Sequence, residues 1–464
     1  MKASLRASAR SGWVQRVGQR LPGHAPMARL IARLPGAESL GRRVAVNSGW
    51  LIAERILHMG VALAISVQVI RYLGPQQYGV LAYGLSIVAM VDVVSTLGMR
   101  STVVRELLEY PERRAEVLGS TVGLRLVTSL VALAVLAVLW AADPGSRSAT
   151  VLVVLAAGLP LMSLAQLDLF FQASLQSQYA VGARFAALVV GSALRVAMLV
   201  AGAPLLAFAV AGAVEFTVTG IAFGMLYQRR EGSLRALRFT RRMSVRLMAM
   251  SWPLFLSALA SVVYLRIDQV MLQHLVGPRE VGIYAAAARL SEIWYFLPIA
   301  IASSMLPLLV MRRLERPAAY TRSLEQAFGV SAWLAILLAL GTTVIATPLV
   351  AIVFGADFSG TAGILRVHMW ATPFIFVGAI LGRALIAEDR RTWELTRHVT
   401  GAGVNVVLNL ALIPAFGGMG AAVATLISYA VAGYLLCFAY APTRVHGRLI
   451  TSAVLRPWRL LRAG

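Results

Sequence analysis

The sequence predicts an all-α polytopic membrane protein with about twelve transmembrane helices in two six-helix bundles. Of its 464 residues, 59% are hydrophobic and 14% are charged, and the mean hydropathy is +0.75. A soluble domain carries about 25% charged residues. A motif also repeats at half the chain length: Gly74-Pro75 with Gly79 returns as Gly277-Pro278 with Gly282, at an offset of 203. Two like halves in a membrane protein predict a cleft between them.

Apolar runs of the length needed to cross a bilayer, about 20 residues, follow one another along most of the chain. Connecting segments on one side are rich in Lys and Arg, while those on the other side hold Arg71, Arg147 and Arg279. Basic residues concentrate on the cytoplasmic side, so both termini are expected in the cytoplasm. The expected spans are 46–70, 78–99, 117–141, 149–171, 182–202, 204–227, 248–273, 281–310, 327–354, 361–386, 395–414 and 418–441.

Five segments follow from these spans. The tails are basic, and the N-terminal one contains no uninterrupted apolar stretch of the kind found in a cleaved signal peptide. The net charge of +23 therefore marks cytoplasmic helix ends rather than a nucleic-acid partner. The lone Cys437 excludes a disulfide framework. The segments are an N-terminal tail (1–44), a first bundle (45–227), a basic cytoplasmic linker (228–247), a second bundle (248–441) and a C-terminal tail (442–464).

Ionisable residues inside the spans point to function, because charge is costly in hydrocarbon. Deep arginines outnumber deep acids, and guanidinium groups bind phosphate in a bidentate manner. The surplus predicts an anionic ligand. We expect Arg55, Arg266 and Arg289 to hold it, with Arg125 and Arg195 as reserve candidates. The acids Glu54, Asp92, Asp268 and Glu292 are candidates for ion coupling or for pairing with arginines.

Spacing suggests which of these charges can meet. Arg289 and Glu292 are three residues apart and share a helix face, as do Glu54 and His58 at a spacing of four, so each couple can pair. Arg266 and Asp268 are two apart and must point in different directions. Asn405 and Asn409 share a face of the eleventh span, which is typical of helix–helix hydrogen bonding. His368, near one end of the tenth span, is expected at the membrane interface.

Some functions are disfavoured by what the sequence lacks. No GxxxxGK[ST] motif is present, so ATP is not the expected fuel, and no paired His/Cys spacing indicates a metal. No cofactor is expected. The expected outer loops are about ten residues or shorter. A membrane enzyme of polysaccharide polymerisation or ligation would need a longer loop or a carboxylate motif to hold its acceptor.

Three segments of the sequence, in order, carry the pattern of one family. They are Asn47–Trp50, Arg71–Pro75 and Tyr78-Gly79; Asp268-Gln269, Met271-Leu272, Gly277, Val281–Tyr284 and Ala288–Leu290; and Leu408–Leu410, Ile413-Pro414, Phe416-Gly417 and Gly420–Ala422. Together they resemble the Wzx-type polysaccharide flippases of the MATE-like MOP transporter superfamily, and the resemblance covers about 45–441. One departure concerns an acid that the family often carries two residues before the glycine matched by Gly98; Thr96 stands there instead, and the nearest acid is Asp92.

The resemblance implies a MATE-like fold and the flipping of undecaprenyl-pyrophosphate-linked oligosaccharide by alternating access. The setting would be the bacterial cytoplasmic membrane, for O-antigen, capsule or exopolysaccharide assembly. The resemblance also implies coupling to H⁺ or Na⁺, and contacts with a polysaccharide polymerase or other assembly proteins. The alternatives are a MATE-like antiporter of drugs or metabolites, which for organic cations should carry surplus acid instead, and the membrane enzyme described above. Rocking of the halves should bring the two Gly-Pro turns together.

Overall fold

The computed structural model describes residues 37–302, 305, 309 and 317–456, with side chains from Leu57 onward except at 317, 318 and 391. These residues are helical almost throughout. Ten of their helical segments are long and apolar enough to cross a membrane. Two segments, Leu57–Glu109 and Thr392–Ala439, are long enough to cross twice, and each turns at a glycine. Gly74 (φ 66°) and Gly417 (φ 55°) adopt the left-handed conformation that such turns require. Twelve crossings result, and the predicted fold class is confirmed.

The first half consists of α1 to α8 and the second of α9 to α16. A π-helical stretch, Val431–Leu435, lies between α14 and α15, and 296–302 is also helical. The first-half helices are α1 Ala37–Thr96, α2 Arg100–Glu109, α3 Arg114–Ala142, α4 Arg147–Ala156, α5 Leu159–Met162, α6 Asp168–Ala173, α7 Ser177–Val200 and α8 Leu205–Arg230. The second-half helices are α9 Arg241–Leu275, α10 Pro278–Glu292, α11 Pro317–Phe354, α12 Thr361–Met369, α13 Thr372–Ala387, α14 Arg391–Ala430, α15 Leu436–Ala439 and α16 Arg444–Leu455.

The fourth and tenth spans are interrupted at equivalent places. In the fourth, α4 ends before Gly158 and α5 begins with Pro160 in its first turn. In the tenth, α12 ends before Trp370 and α13 begins with Pro373 in its first turn. Proline has no backbone N–H and is tolerated at the start of a helix but not inside it. The matching interruptions support the internal repeat in three dimensions.

The segment between the halves, from Arg230 to Arg241, is attached to the first half. The Arg238 N–H donates to the Ala115 carbonyl (3.0 Å), and the Thr240 hydroxyl donates to Glu116 (2.6 Å). Gly119 allows the approach, since an added Cβ would lie 2.5 Å from the Arg238 nitrogen. The basic linker is therefore a packed strap in this structure. We call this side of the molecule the linker end and the side of the two Gly-Pro turns the Gly-Pro end.

The segment predicted as a C-terminal tail begins with a docked helix, α16. Glu388, in the turn between α13 and α14, accepts hydrogen bonds from His446 Nε2 (2.9 Å) and from the Tyr320 hydroxyl (2.9 Å). Burial alone would raise the pKa of Glu388, but these hydrogen bonds and the nearby charge of Arg390 outweigh it and lower the pKa. The helix is thus held to α11 and α13 by a carboxylate with three partners.

Candidate functional site

The two halves touch at the Gly-Pro end through backbone atoms. An added Cβ at Gly79 would lie 1.7 Å from the Pro278 carbonyl oxygen, and one at Gly282 would lie 2.0 Å from the Pro75 carbonyl oxygen. The contact is reciprocal, and each glycine comes from one copy of the repeated motif. We call it the glycine seam. The predicted approach of the two Gly-Pro turns is confirmed.

A row of polar contacts continues from the glycine seam along α1 and α9. Ser86 donates to the Gln269 side-chain oxygen (2.7 Å), and both residues are buried. Farther toward the Gly-Pro end, the Tyr83 hydroxyl lies 3.4 Å from His274 Nε2. These contacts close the space between the halves on this side, and every one of them crosses from one half to the other.

Two of the predicted arginines lie deeper, where the second half faces the first. Arg289 Nη2 donates to the Ser66 hydroxyl on α1 (2.9 Å), so this guanidinium joins the halves through a neutral partner. Arg266 on α9 instead meets Glu292 on α10 with both prongs of its fork, at 3.1 and 3.2 Å. Glu292 therefore pairs with Arg266 rather than with Arg289, the partner that the three-residue spacing allows. The cross-helix geometry gives both carboxylate oxygens to Arg266, with about a quarter of its side chain still exposed (28%).

The reserve arginines belong to ion pairs within the first half. Arg125 on α3 pairs with Asp92 on α1 at 2.5 Å, and only 6% of its side chain is exposed. Arg195 on α7 pairs with Glu215 on α8, also at 2.5 Å. Both arginines have carboxylate partners, so most of the apparent arginine surplus is neutralised locally. Glu54 and Arg55 fall in the part of α1 whose side chains are outside the described residues.

Asp268 is the most buried of the candidate acids in the second half, with 2% of its surface exposed. It accepts hydrogen bonds from Asn409 Nδ2 (2.6 Å), the Tyr284 hydroxyl (2.5 Å) and the Thr425 hydroxyl (2.7 Å). All three donors are neutral. Asn405 extends the network by accepting from Asn409 (3.2 Å). Asp268 and Arg266 point in different directions, as their spacing predicts.

One small pocket joins this network to the Arg266–Glu292 pair. Asp268, Tyr284, Thr425 and Glu292 line it, together with Tyr264 and His368. His368 is 4% exposed and lies 2.8 Å from the Ser291 hydroxyl, so the interfacial position expected for it is wrong. The Tyr264 hydroxyl is buried, and it has no hydrogen-bond partner among the described residues. The sequence analysis missed Tyr264 and Thr425, because neutral donors carry no signal in a hydropathy or charge pattern.

The described residues contain no cluster of side chains typical of a metal site. Within the described ranges, no group of three or more His, Cys, Asp or Glu side chains is close enough to hold a metal ion. Of the two carboxylates that line the pocket, Glu292 is held by Arg266, so Asp268 is left with neutral oxygen and amide neighbours. Such a site suits a proton or a monovalent cation better than a divalent metal, which prefers several anionic ligands.

Two family models match the chain. The model described as a polysaccharide biosynthesis protein covers residues 44–313, more than half of the chain. The model described as lipid II flippase MurJ covers residues 221–458. Among curated proteins, the chain is 29% identical over 191 residues to a probable flippase, AglR, and 27% identical over 176 residues to a probable low-salt glycan biosynthesis flippase, Agl15, both of Haloferax volcanii.

These alignments cover 40% of this chain and 40% of AglR, and 38% of this chain and 37% of Agl15. Solved structures match over far more of the chain. The lipid II flippase MurJ in an inward closed conformation is similar at a TM-score of 0.68 and 15% identity, covering 89% of this chain and 92% of MurJ. An inward-facing multidrug resistance MATE transporter gives 0.64 at 16% identity, covering 85% and 96%. At these identities the likeness concerns the fold alone.

Proposed function

The chain belongs to the polysaccharide biosynthesis protein family, and from this premise we propose that it flips an undecaprenyl-pyrophosphate-linked oligosaccharide. The proposed setting is the bacterial cytoplasmic membrane, where such an intermediate is needed for O-antigen, capsule or exopolysaccharide assembly. A polysaccharide polymerase or another assembly protein would take the product. The sugar and the pyrophosphate cannot cross hydrocarbon unaided, so a protein must enclose them while the prenyl chain stays in lipid.

The position of Arg289 carries this proposal. Its guanidinium lies between the halves with the neutral Ser66 hydroxyl as its hydrogen-bond partner, and no carboxylate among the described residues pairs with it. Arg266 lies on the neighbouring helix and remains partly exposed. A pyrophosphate would bind Arg289 directly and Arg266 once its carboxylate partner Glu292 moves away, since arginine holds phosphate in a bidentate manner. An antiporter of organic cations would gain nothing from these two arginines.

The same arrangement supports alternating access through the space between the halves. We propose that the Gly-Pro end faces outward and that both termini and the linker end face the cytoplasm, which agrees with the distribution of Lys and Arg. The glycine seam then closes the outer side. Reporter domains inserted at Gly232 and appended to Gly464 should report cytoplasm, and one at Arg279 should report the outer side. If Gly232 and Arg279 report the same side, this orientation is refuted.

We further propose that Asp268 is the coupling site, for H⁺ or Na⁺. Its three donors are neutral, and no cationic side chain among the described residues pairs with this buried carboxylate, which is costly in a membrane interior. A bound proton or Na⁺ would supply the missing positive charge. Replacement of Na⁺ by choline at constant pH, and dissipation of the pH gradient at constant Na⁺, separate the two ions by which one reduces the flipping rate.

The decisive test is a flipping assay in proteoliposomes with fluorescent undecaprenyl-pyrophosphate oligosaccharide. Arg289→Ala should reduce the rate at least a hundredfold while the protein still inserts, and Arg289→Lys should recover part of it as a point charge without the fork. Gly403→Ala is the matched control, since its Cβ would meet nothing within 4 Å. If Arg289→Ala flips the substrate at the same rate as the control, the proposed function of this site is refuted.

A further inference from the structure

The Arg266–Glu292 pair differs from the other ion pairs inside the spans. Arg195–Glu215 has similar side-chain exposure, 25% and 23% against 28% and 19%, but lies between two helices of the first half. Arg266–Glu292 instead adjoins Arg289, which reaches across to the first half, and it borders the pocket of Asp268. Glu292 therefore sits between a guanidinium suited to phosphate and a pocket of polar side chains.

We propose that Glu292 is a resident stand-in for the phosphate of the ligand: its carboxylate occupies the fork of Arg266 in the empty protein and is displaced when a pyrophosphate binds. This rests on the proposed function and adds a specificity-determining residue to it. The bidentate geometry at 3.1 and 3.2 Å is the one that a phosphate uses with arginine. The stand-in keeps the guanidinium in position and makes it unattractive to weak anions.

A displaced carboxylate needs a new donor, and the structure holds one. The Tyr264 hydroxyl lines the same pocket as Glu292, is buried, and lacks a hydrogen-bond partner among the described residues. A buried hydroxyl without a partner is costly, which favours a state in which it is used. In this proposal a carboxylate released from Arg266 accepts a hydrogen bond from the Tyr264 hydroxyl, because both side chains line the same pocket. The two partners define two positions of Glu292, one for the empty protein and one for the loaded protein.

The displaced position has a consequence for the ion site. Glu292 would then add a second negative charge to the pocket of Asp268, and two nearby carboxylates disfavour each other unless a cation or a proton joins them. Ligand binding at Arg266 thereby raises the affinity of the pocket for a cation, and by reciprocity the cation favours ligand binding. Glu292 is the shared element between the two sites.

The test is equilibrium binding of radiolabelled undecaprenyl pyrophosphate to the full chain in nanodiscs. Glu292→Gln should bind about tenfold more tightly than wild type, because an amide competes poorly for the fork; that factor corresponds to about 1.4 kcal/mol. Tyr264→Phe should bind more weakly than wild type but should have no effect when combined with Glu292→Gln. Glu215→Gln, the matched control at the other pair, should leave the affinity unchanged.

The binding results distinguish a failure of the stand-in role of Glu292 from a failure of the proposed ligand site. An unchanged or weaker affinity for Glu292→Gln overturns the stand-in role, provided that Arg266→Ala still lowers binding and so keeps the proposed function intact. If Arg266→Ala binds like wild type, or wild type does not bind at all, the proposed ligand site itself fails. Should Glu292→Gln not accumulate, Glu292→Asp serves in its place: the shorter acid cannot span the fork, and a gain of about threefold is expected.

Discussion

The two halves differ in the partners that they give to the acids inside their spans. In the first half, Asp92 and Glu215 each meet an arginine at 2.5 Å, so each negative charge is cancelled inside the bundle. In the second half, Asp268 accepts hydrogen bonds from three neutral donors, and Glu292 pairs with Arg266 at the edge of the pocket that it lines with Asp268. The first half thus uses these acids to hold helices together, whereas the second half keeps one buried acid, Asp268, without an arginine partner among the described residues. The contrast teaches that half of an internal repeat can specialise while its fold stays common.

The largest functional effect should come from Asp268→Asn. The amide keeps the size of the side chain, its oxygen can accept from Asn409, and its NH₂ can donate to the Tyr284 and Thr425 hydroxyls, but it carries no charge for a proton or Na⁺. We expect flipping in proteoliposomes to fall below about a hundredth of the wild-type rate, while the melting temperature stays close to that of wild type. If this variant flips the substrate at the wild-type rate, Asp268 has a structural role, as Asp92 and Glu215 have in the first half.

Asp92→Asn should show the opposite behaviour. The substitution leaves the guanidinium of Arg125 buried without its counter-charge; because about a third of the Asp92 side chain is exposed, we expect a cost of about 1–3 kcal/mol. Thermal or denaturant unfolding in detergent should show this loss, whereas the flipping rate per folded molecule should remain near that of wild type. The double variant Asp92→Asn/Arg125→Gln should recover most of the stability. A normally stable Asp92→Asn protein that fails to flip would erase the contrast between the halves.

Gly282→Ala should open the glycine seam. The added methyl group would overlap the Pro75 carbonyl, so the halves must separate there. Cysteines introduced as Gln76→Cys and Arg279→Cys in a Cys437→Ala background report closure by disulfide formation, and we expect Gly282→Ala to reduce the crosslinking rate at least tenfold. Gly341→Ala, whose Cβ meets nothing within 4 Å, is the control. Undiminished crosslinking would count against a closed seam.

The smallest effect expected is that of Ser86→Ala. The change leaves the Gln269 oxygen buried without its donor while the halves are together, and water can satisfy it once they part. A net hydrogen bond of about 1 kcal/mol corresponds to about a fivefold shift toward the open state. The same crosslinking pair measures it. An unaltered rate would limit closure to the backbone contact.

Much of the fold could be predicted, because a chain in lipid must satisfy its backbone polar groups internally and so becomes helical wherever it is apolar. The motif that begins at Gly74 and again at Gly277 predicted the internal repeat and the place where the halves meet. The partner of Glu292 could not be predicted in this way. The rule of three-residue spacing favours Arg289, yet Arg266 approaches from a different helix, and only the packing of α9 against α10 decides between them.

Other elements left no usable signal. Tyr264 and Thr425 are uncharged and lie in apolar helices, so their pattern is that of ordinary packing residues. The positive charge of 442–464 predicted a basic tail, but this segment begins with the helix α16. One side of α16 packs against the protein, and its arginines lie on the exposed side. His446 and Gly447 on the packed side are buried, whereas Arg444 and Arg448 are exposed. Charge counts describe the exposed side of such a helix, and the buried side is set by what it meets.

The glycine seam is formed by backbone atoms, so no side-chain rotamer has to be fixed when it closes. When a gate built from long side chains closes, each chain loses conformational freedom, at about 0.5–2 kcal/mol for each side chain. At Gly79 and Gly282 the facing atoms are carbonyls and α-carbons already fixed within helices, so closure orders nothing further. The seam should therefore close at one distance and in one register, and its rate should depend on the movement of whole helices rather than on a search among side-chain conformations.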